Sequence, residues 1–210
     1  MPPEADAGET APYAVLARKD PVMARLIGQY GTPDPFEFAD GGRSDGSNFA
    51  AMALHIIAQQ ISTKVALGVF DRVAAASGGT PDPESILRLS VEELRALGTS
   101  HSKASYLRAL AQSVQSGELA IDRLGDLPDQ DAADALTRVK GIGPWSAEMF
   151  LIHQLKRTDV LPAGDRGIRV AIQNAYALPD VPSIEDVELR GQAWIPYRTF
   201  AAAVLWRSLS

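Results

Sequence analysis

Two short stretches of this 210-residue chain hold residues whose types and spacing could do chemistry. The first is Leu136-Thr-Arg-Val-Lys-Gly-Ile-Gly-Pro-Trp-Ser-Ala-Glu-Met-Phe150. Its pattern predicts a helix ending near Val139, a turn over Gly141-Ile142-Gly143, and a second helix opened by Pro144 at the preferred first position. Two glycines so placed let the backbone take positive φ and come close to another surface. Turn amides and the new helix N-terminus then point outward together, an anion site made without side-chain charge. Sequence-independent grip on a DNA strand is one use of such a site; a plain helix–helix turn is the other reading. A dinucleotide fingerprint is excluded, because the third glycine is missing and a helix, not a strand, precedes the turn.

The second stretch is Asp159-Val-Leu-Pro-Ala-Gly-Asp165-Arg-Gly-Ile-Arg-Val170. Asp165 stands immediately before a helical run, where the amides of Gly167 and Ile168 can donate to its carboxylate. Taken alone, that is equally the pattern of an ordinary N-cap. The pairing changes the weight: a phosphate-gripping turn is followed, about twenty residues on, by a carboxylate at the start of the next helix.

The elements that must position these residues read as helical almost throughout. Apolar residues at Phe49, Met52, Ala53, Ile56 and Ile57 lie on one helix face. The polar island Gln59-Gln60-Ile61-Ser62-Thr63 follows, then a second run to about Ser77 and a break at Gly78-Gly79-Thr80-Pro81. Ser90 and Glu93 have capping-box spacing. Further helices are expected near 102–116, 131–139, 145–155, 166–177, 184–190 and 197–208. No stretch alternates like a strand, so the expected class is all-α with nine or ten short helices. Pro33–Gly46 is the best linker. Residues 1–46 are expected to be an acidic, partly flexible segment packing on the C-terminal lobe, ahead of one domain over 47–210.

Composition narrows the chemistry. The chain has 20 basic and 26 acidic residues, a net charge of −6, and no cysteine. A Cys nucleophile, thiolate zinc sites and a Cys-ligated iron–sulfur cluster are therefore excluded. His55, His101 and His153 are scattered without metal-ligand spacing. No apolar run approaches a membrane span and the acidic first residues show no export leader, so the expected setting is the cytoplasm. A net acidic chain argues at first against nucleic acid. Residues 136–173 reverse the sign, with Arg138, Lys140, Lys156, Arg157, Arg166 and Arg169 against Glu148, Asp159 and Asp165; a solvated helix face explains this as readily as an anion-facing surface.

Together the two stretches resemble the helix-hairpin-helix DNA glycosylases (the HhH-GPD superfamily), with Leu136–Phe150 as the hairpin and Asp159–Val170 as the catalytic segment. Ile57–Ser62, Leu97–Ala104 and Trp194-Ile-Pro-Tyr-Arg198 through Leu205-Trp206 add weaker support. The branch it looks like is that of DNA-3-methyladenine glycosylase II. The resemblance implies two helical lobes around a DNA-binding cleft, with Asp165 as the catalytic carboxylate. It further implies that the carbonyls of Thr137, Val139 and Ile142 hold a monovalent cation, Na+ or K+, with no other cofactor. Lys140, Gly141, Ile142, Gly143, Trp145, Arg198 and Gln60 are the expected DNA contacts. Trp145, Trp206, Met149 and Tyr197 are the expected base pocket, although each Trp could instead be a core residue.

The position that holds a Schiff-base lysine in bifunctional relatives is Trp145, which predicts hydrolysis without strand cleavage. Indole faces attract cations, which points to alkylated purines of the 3-methyladenine and 7-methylguanine type in double-stranded DNA, acted on by a monomer. Open alternatives are a non-catalytic hairpin DNA-binding module and a glycosylase of the same fold for uracil or mismatched bases. With roughly 45 residues ahead of the resemblance, the N-terminal β-domain that some relatives carry is not expected here.

Overall fold

A small polar residue precedes most of the helices and accepts a hydrogen bond from their first turn. Asp20, Ser47, Ser62, Asp82, Ser90, Ser100, Asp165 and Ser183 all do so, each cap contributing about 1 kcal/mol. Three of them, Asp82, Ser90 and Ser183, close full capping boxes with Ser85, Glu93 and Asp186. A computed structural model describes residues 7–37 and 40–209, with backbone only for 7–10. Among these residues there are twelve α-helices, two short 3-10 turns and no strand. No helix among them is long and apolar enough to cross a membrane. The first six residues, on which the reading of an acidic N-terminus without a leader rests, lie outside the described residues.

The chain divides into two units, Met1–Glu37 with Lys156–Ser210, and Phe38–Leu155. The first boundary falls inside the Pro33–Gly46 stretch. The second runs through the 47–210 block, which is therefore shared between units, and it also splits the basic 136–173 stretch.

The unit Phe38–Leu155 is built around α3 (Asn48–Ala58), where every residue from Phe49 to Ile57 is buried. Around it lie α4 (Thr63–Ser77), α5 (Pro83–Arg88), α6 (Val91–Ala96), α7 (His101–Gln115), α8 (Asp129–Thr137) and α9 (Pro144–His153). Helices α4, α7 and α9 each pack directly on α3. Apolar burial on every side explains why α3 carries only one polar side chain inside it, His55. Two of the scattered histidines meet here: the His55 and His153 rings stack at 6.0 Å. Burial, then neighbouring His153, push the His55 imidazole down to about 3, against an upward pull from Asp40.

The other unit contains two helices that the sequence reading did not anticipate, α1 (Ala7–Lys19) and α2 (Pro21–Tyr30). Their signals are short but present: Tyr13 and Leu16, and Met23 and Leu26, are buried i, i+3 pairs, and Asp20-Pro21 is a cap followed by proline. They pack with α10 (Arg166–Tyr176) and α12 (Arg198–Arg207), and α11 (Ile184–Gly191) packs on α10. Asp20 joins the layers. Besides the Val22 and Met23 amides, its carboxylate accepts the Trp194 indole N–H at 3.0 Å and the Tyr176 hydroxyl. Burial alone would raise its pKa, but these hydrogen bonds hold it below the usual carboxylate range.

Candidate active site

The hairpin begins where α8 runs out. The Val139 amide donates back to Leu136 at 3.0 Å and the Ile142 amide to Val139 at 3.1 Å, while both side chains are buried as anchors. Only one of the two glycines needs its freedom of φ. Gly141 sits at φ +95°, and a Cβ there would lie 2.0 Å from Cγ of Tyr106 on α7, so the close approach is to the protein's own aromatic ring. Gly143 is extended, at φ −92°, with open space where a Cβ would stand. It precedes Pro144 at N1 and brings no side-chain cap to α9. This corrects the expectation that both glycines supply positive φ.

One residue of the polar island holds this turn. Gln59, which ends α3, donates from Nε2 to the Gly141 carbonyl at 2.9 Å and to Ser146 Oγ at 3.2 Å. Its neighbour Gln60, the expected DNA contact, is exposed at the adjoining bend in the left-handed region, at φ +58°. Lys140 and Arg138 are exposed on the hairpin. Lys103 is otherwise engaged: it donates to the Ile57 carbonyl at 2.8 Å, and burial lowers its pKa.

Trp145, the first residue after Pro144, is 39% exposed, whereas Met149 one turn on is 4% exposed. The two do not share an open face, which corrects the pocket expectation for Met149. The reason is that α9 is packed by α3 on one side and α8 on another, leaving only its first turn at the surface.

The carboxylate lies in the other unit. Pro162, Ala163 and Gly164 form a turn in which the Asp165 amide donates to the Pro162 carbonyl at 2.9 Å. Half-buried Asp165 then caps α10, its Oδ1 accepting the Ile168 amide at 2.9 Å. The same oxygen accepts the indole N–H of Trp206 at 3.2 Å. Trp206 belongs to α12, whose opposite end is stitched to the strand of chain leading into the Asp165 turn. There Arg198 makes a bidentate pair with Asp159, at 2.8 and 2.9 Å. Thr199 Oγ1 donates to the Arg157 carbonyl at 2.8 Å and accepts the Val160 amide at 3.0 Å.

Two further expectations are redirected by this geometry. Arg198, expected on DNA, is committed to Asp159, and half-buried Tyr197 packs edge-on against Phe200 at 5.8 Å within the apolar cluster. The basic stretch is partly structural as well: Lys156 donates to the Phe36 carbonyl and Arg169 to the Pro182 carbonyl. Tyr106, Asp159 and Thr199 were missed as site-building residues, whereas Gln59 reads from the sequence, with Gln60, as a residue that either reaches the cleft or the DNA or caps the helix break. Gln59 had a signal in its polar island at a helix end; for the others, a partner 35 residues or more distant in sequence leaves none.

For ions, no three His, Asp or Glu side chains converge among the described residues. The carbonyls of Thr137, Val139 and Ile142 belong to the end of α8 and its turn, where intrahelical donors have run out. Val139 already accepts one amide and keeps a second lone pair. An all-oxygen neutral set of this kind suits a hard monovalent cation.

Residues 54–197 match the family described as HhH-GPD superfamily base excision DNA repair protein. The chain belongs to that superfamily. Within it, DNA-3-methyladenine glycosylase 1 of Schizosaccharomyces pombe is 35% identical over 156 residues, 73% of this chain and 68% of the relative. A putative DNA-3-methyladenine glycosylase of Bacillus subtilis, YfjP, is 31% identical over 172 residues, 79% of this chain and 60% of that one. The solved Schizosaccharomyces pombe 3-methyladenine DNA glycosylase Mag1, in complex with abasic DNA, superposes with a TM-score of 0.82 at 29% identity, covering 94% and 95% of the two chains. The superfamily assignment and these relatives make the chain a DNA glycosylase, a hydrolase of N-glycosyl bonds with an all-α HhH-GPD fold.

Proposed function

We propose that this glycosylase removes purines alkylated at ring nitrogens, of the 3-methyladenine and 7-methylguanine type, from double-stranded DNA and leaves the strand intact. The observation that carries the reading is Asp165: a half-exposed carboxylate aimed by an amide and an indole N–H, at the start of a helix, downstream of a hairpin in this superfamily. The target base must leave the stack before its sugar carbon can be reached. As the bond from that carbon to the ring nitrogen breaks, the bonding pair leaves with the base and neutralises its positive ring. Positive charge builds on the sugar, where the Asp165 carboxylate stabilises it and orients the water that attacks. The attacking water loses a proton to the carboxylate or to solvent, and the sugar keeps a hydroxyl.

The hairpin grips the strand. The uncapped first turn of α9 and the Gly141–Gly143 turn offer backbone donors to a phosphate, with Lys140 and Gln60 exposed beside them. A monovalent cation held by the Thr137, Val139 and Ile142 carbonyls would supply a positive charge for the same phosphate. The exposed indole of Trp145 offers a π face to a cationic base, a contact of about 0.5–2 kcal/mol. Trp145 also occupies the position where a lysine would form a Schiff base, so hydrolysis is the expected chemistry. The enzyme acts as a monomer, in the cytoplasm with the DNA.

One assay tests the proposal. Duplex DNA treated with a methylating agent is incubated with the protein, and the released bases are identified. Free 3-methyladenine and 7-methylguanine, with no strand nick and no borohydride-trapped adduct, are the expected outcome. Rapid release of uracil or 8-oxoguanine with no methylated purine, or a trapped adduct, contradicts it.

A further inference from the structure

Helix α10 contains a glycine that its own conformation does not require. Gly167 lies in the first turn of the helix and outside the left-handed region, and glycine is among the weakest helix formers. What the position needs is space. A Cβ at 167 would stand 2.9 Å from Asp165 Oδ1, 3.5 Å from Leu209 Cδ1 and 3.6 Å from Trp206 Cδ1. The first of these is closer than real Cβ contacts allow, so the carboxylate would have to move. Oδ1 is the same atom that accepts the Ile168 amide and the Trp206 indole N–H. The carboxylate is thus folded back over the first turn of its own helix, in space that a Cβ at 167 would press on, and is fastened there by an indole from α12.

We propose that Gly167 and Trp206 are positioning residues for the Asp165 carboxylate: the glycine leaves the gap in which it sits, and the indole N–H fixes its orientation. This rests on the reading of Asp165 given above. Two donors converging from different elements on one oxygen hold the carboxyl plane as well as its position, since hydrogen bonds weaken steeply off axis. The stitching of Arg198 and Thr199 to residues 157–160 fixes the other end of α12 and so the place from which Trp206 reaches. An ångström of displacement at a reacting centre can cost about a hundredfold in rate.

The test uses three substitutions in the full chain, Gly167→Ala, Trp206→Phe and Asp165→Asn. Trp206→Phe keeps an aromatic ring and removes the N–H. Single-turnover release of 7-methylguanine, affinity for an abasic duplex and thermal midpoint are measured for each. Gly167→Ala is expected to slow release about a hundredfold, with abasic affinity held and a midpoint equal to or above the parent's, because alanine favours the helix. Trp206→Phe is expected to slow release roughly tenfold or more with affinity again held. Combined with Asp165→Asn, neither adds further loss, as expected of residues acting through one group. If Gly167→Ala and Trp206→Phe release base at the parental rate while Asp165→Asn does not, the positioning inference is wrong and the role of Asp165 stands. If Asp165→Asn itself is as fast as the parent, the reading beneath it fails. A Gly167→Ala protein that loses midpoint and affinity along with rate overturns the glycine's half of the claim, and Trp206→Phe then decides the indole's half.

Discussion

In the hairpin of residues 136–150 the proposed grip uses backbone groups of the turn, with Arg138, Lys140 and Trp145 exposed beside them, and other side chains work behind. Gln59 holds the Gly141 carbonyl, Tyr106 fills the place of a missing Cβ, and Val139 and Ile142 are buried anchors. In the segment 159–170 the arrangement is reversed. One side chain, Asp165, is presented, and its surroundings are a backbone amide, an indole N–H and a gap beside Gly167. On the proposed mechanism, the difference follows from what each region has to recognise. A phosphate recurs in every nucleotide and is met by backbone dipoles, which carry no sequence preference. A transient sugar cation is met by one charge at one place, and holding that charge takes dedicated donors. An acidic chain can therefore bind DNA, because the grip proposed here draws little on its net charge of −6.

The two regions should break in different ways. The largest effect on the hairpin side is expected from Gly141→Ala, which must accommodate φ +95° and a Cβ 2.0 Å from the Tyr106 ring. A loss of about 3 kcal/mol in stability, with weakened abasic-DNA affinity, is expected by denaturant titration and fluorescence anisotropy. Next comes acid. His55 is held neutral with its pKa near 3, so below its ordinary value of 6.5 the unfolded chain takes up a proton that the folded chain refuses. Stability should fall by about 1.4 kcal/mol for each pH unit from 6.5 toward 3. Asp20 adds to the loss: with its pKa lowered, the stability it contributes is present above the ordinary carboxylate value and disappears as pH drops through the folded one. Thermal midpoints from pH 7 to 4 check both, and His55→Leu should flatten the curve. The smallest effect is expected from Gln59→Ala, which removes two part-buried hydrogen bonds. About 1 kcal/mol in stability or DNA affinity should go, with the single-turnover rate on saturating enzyme nearly unchanged. If Gln59→Ala instead abolished the chemical step while sparing affinity, the division between grip and chemistry would be lost.

The helical class, the hairpin turn and the capping position of Asp165 were legible because each is written in local pattern: apolar residues on one helix face, Gly-x-Gly-Pro, and an acid ahead of a helical run. Helices α1 and α2 were passed over because their buried pairs are short and the first ten residues of the chain are rich in Pro, Gly and acid, which reads as a tail. The division of the chain near 155 has no local mark, since Leu155-Lys156 is neither Gly- nor Pro-rich. The site's supports were the least legible part. Tyr106 under Gly141, Trp206 on Asp165 and Asp159 on Arg198 are pairs 35 or more residues apart, joined only by the fold. Arg198 and Met149 show the converse: residue types that suit DNA or a base were drawn into an ion pair and a core. Gly167 was legible only as one of two amides able to donate to Asp165, and the space it leaves for the carboxylate was not.

Grip and chemistry are proposed to be separate in this enzyme, and a pair of numbers for Asp165→Asn tests that separation most directly. Single-turnover release of 7-methylguanine from duplex DNA should fall by about a thousandfold, while the affinity for an abasic duplex stays equal to the parent's or rises. Release at the parental rate, or a loss of affinity as large as the loss of rate, would contradict it.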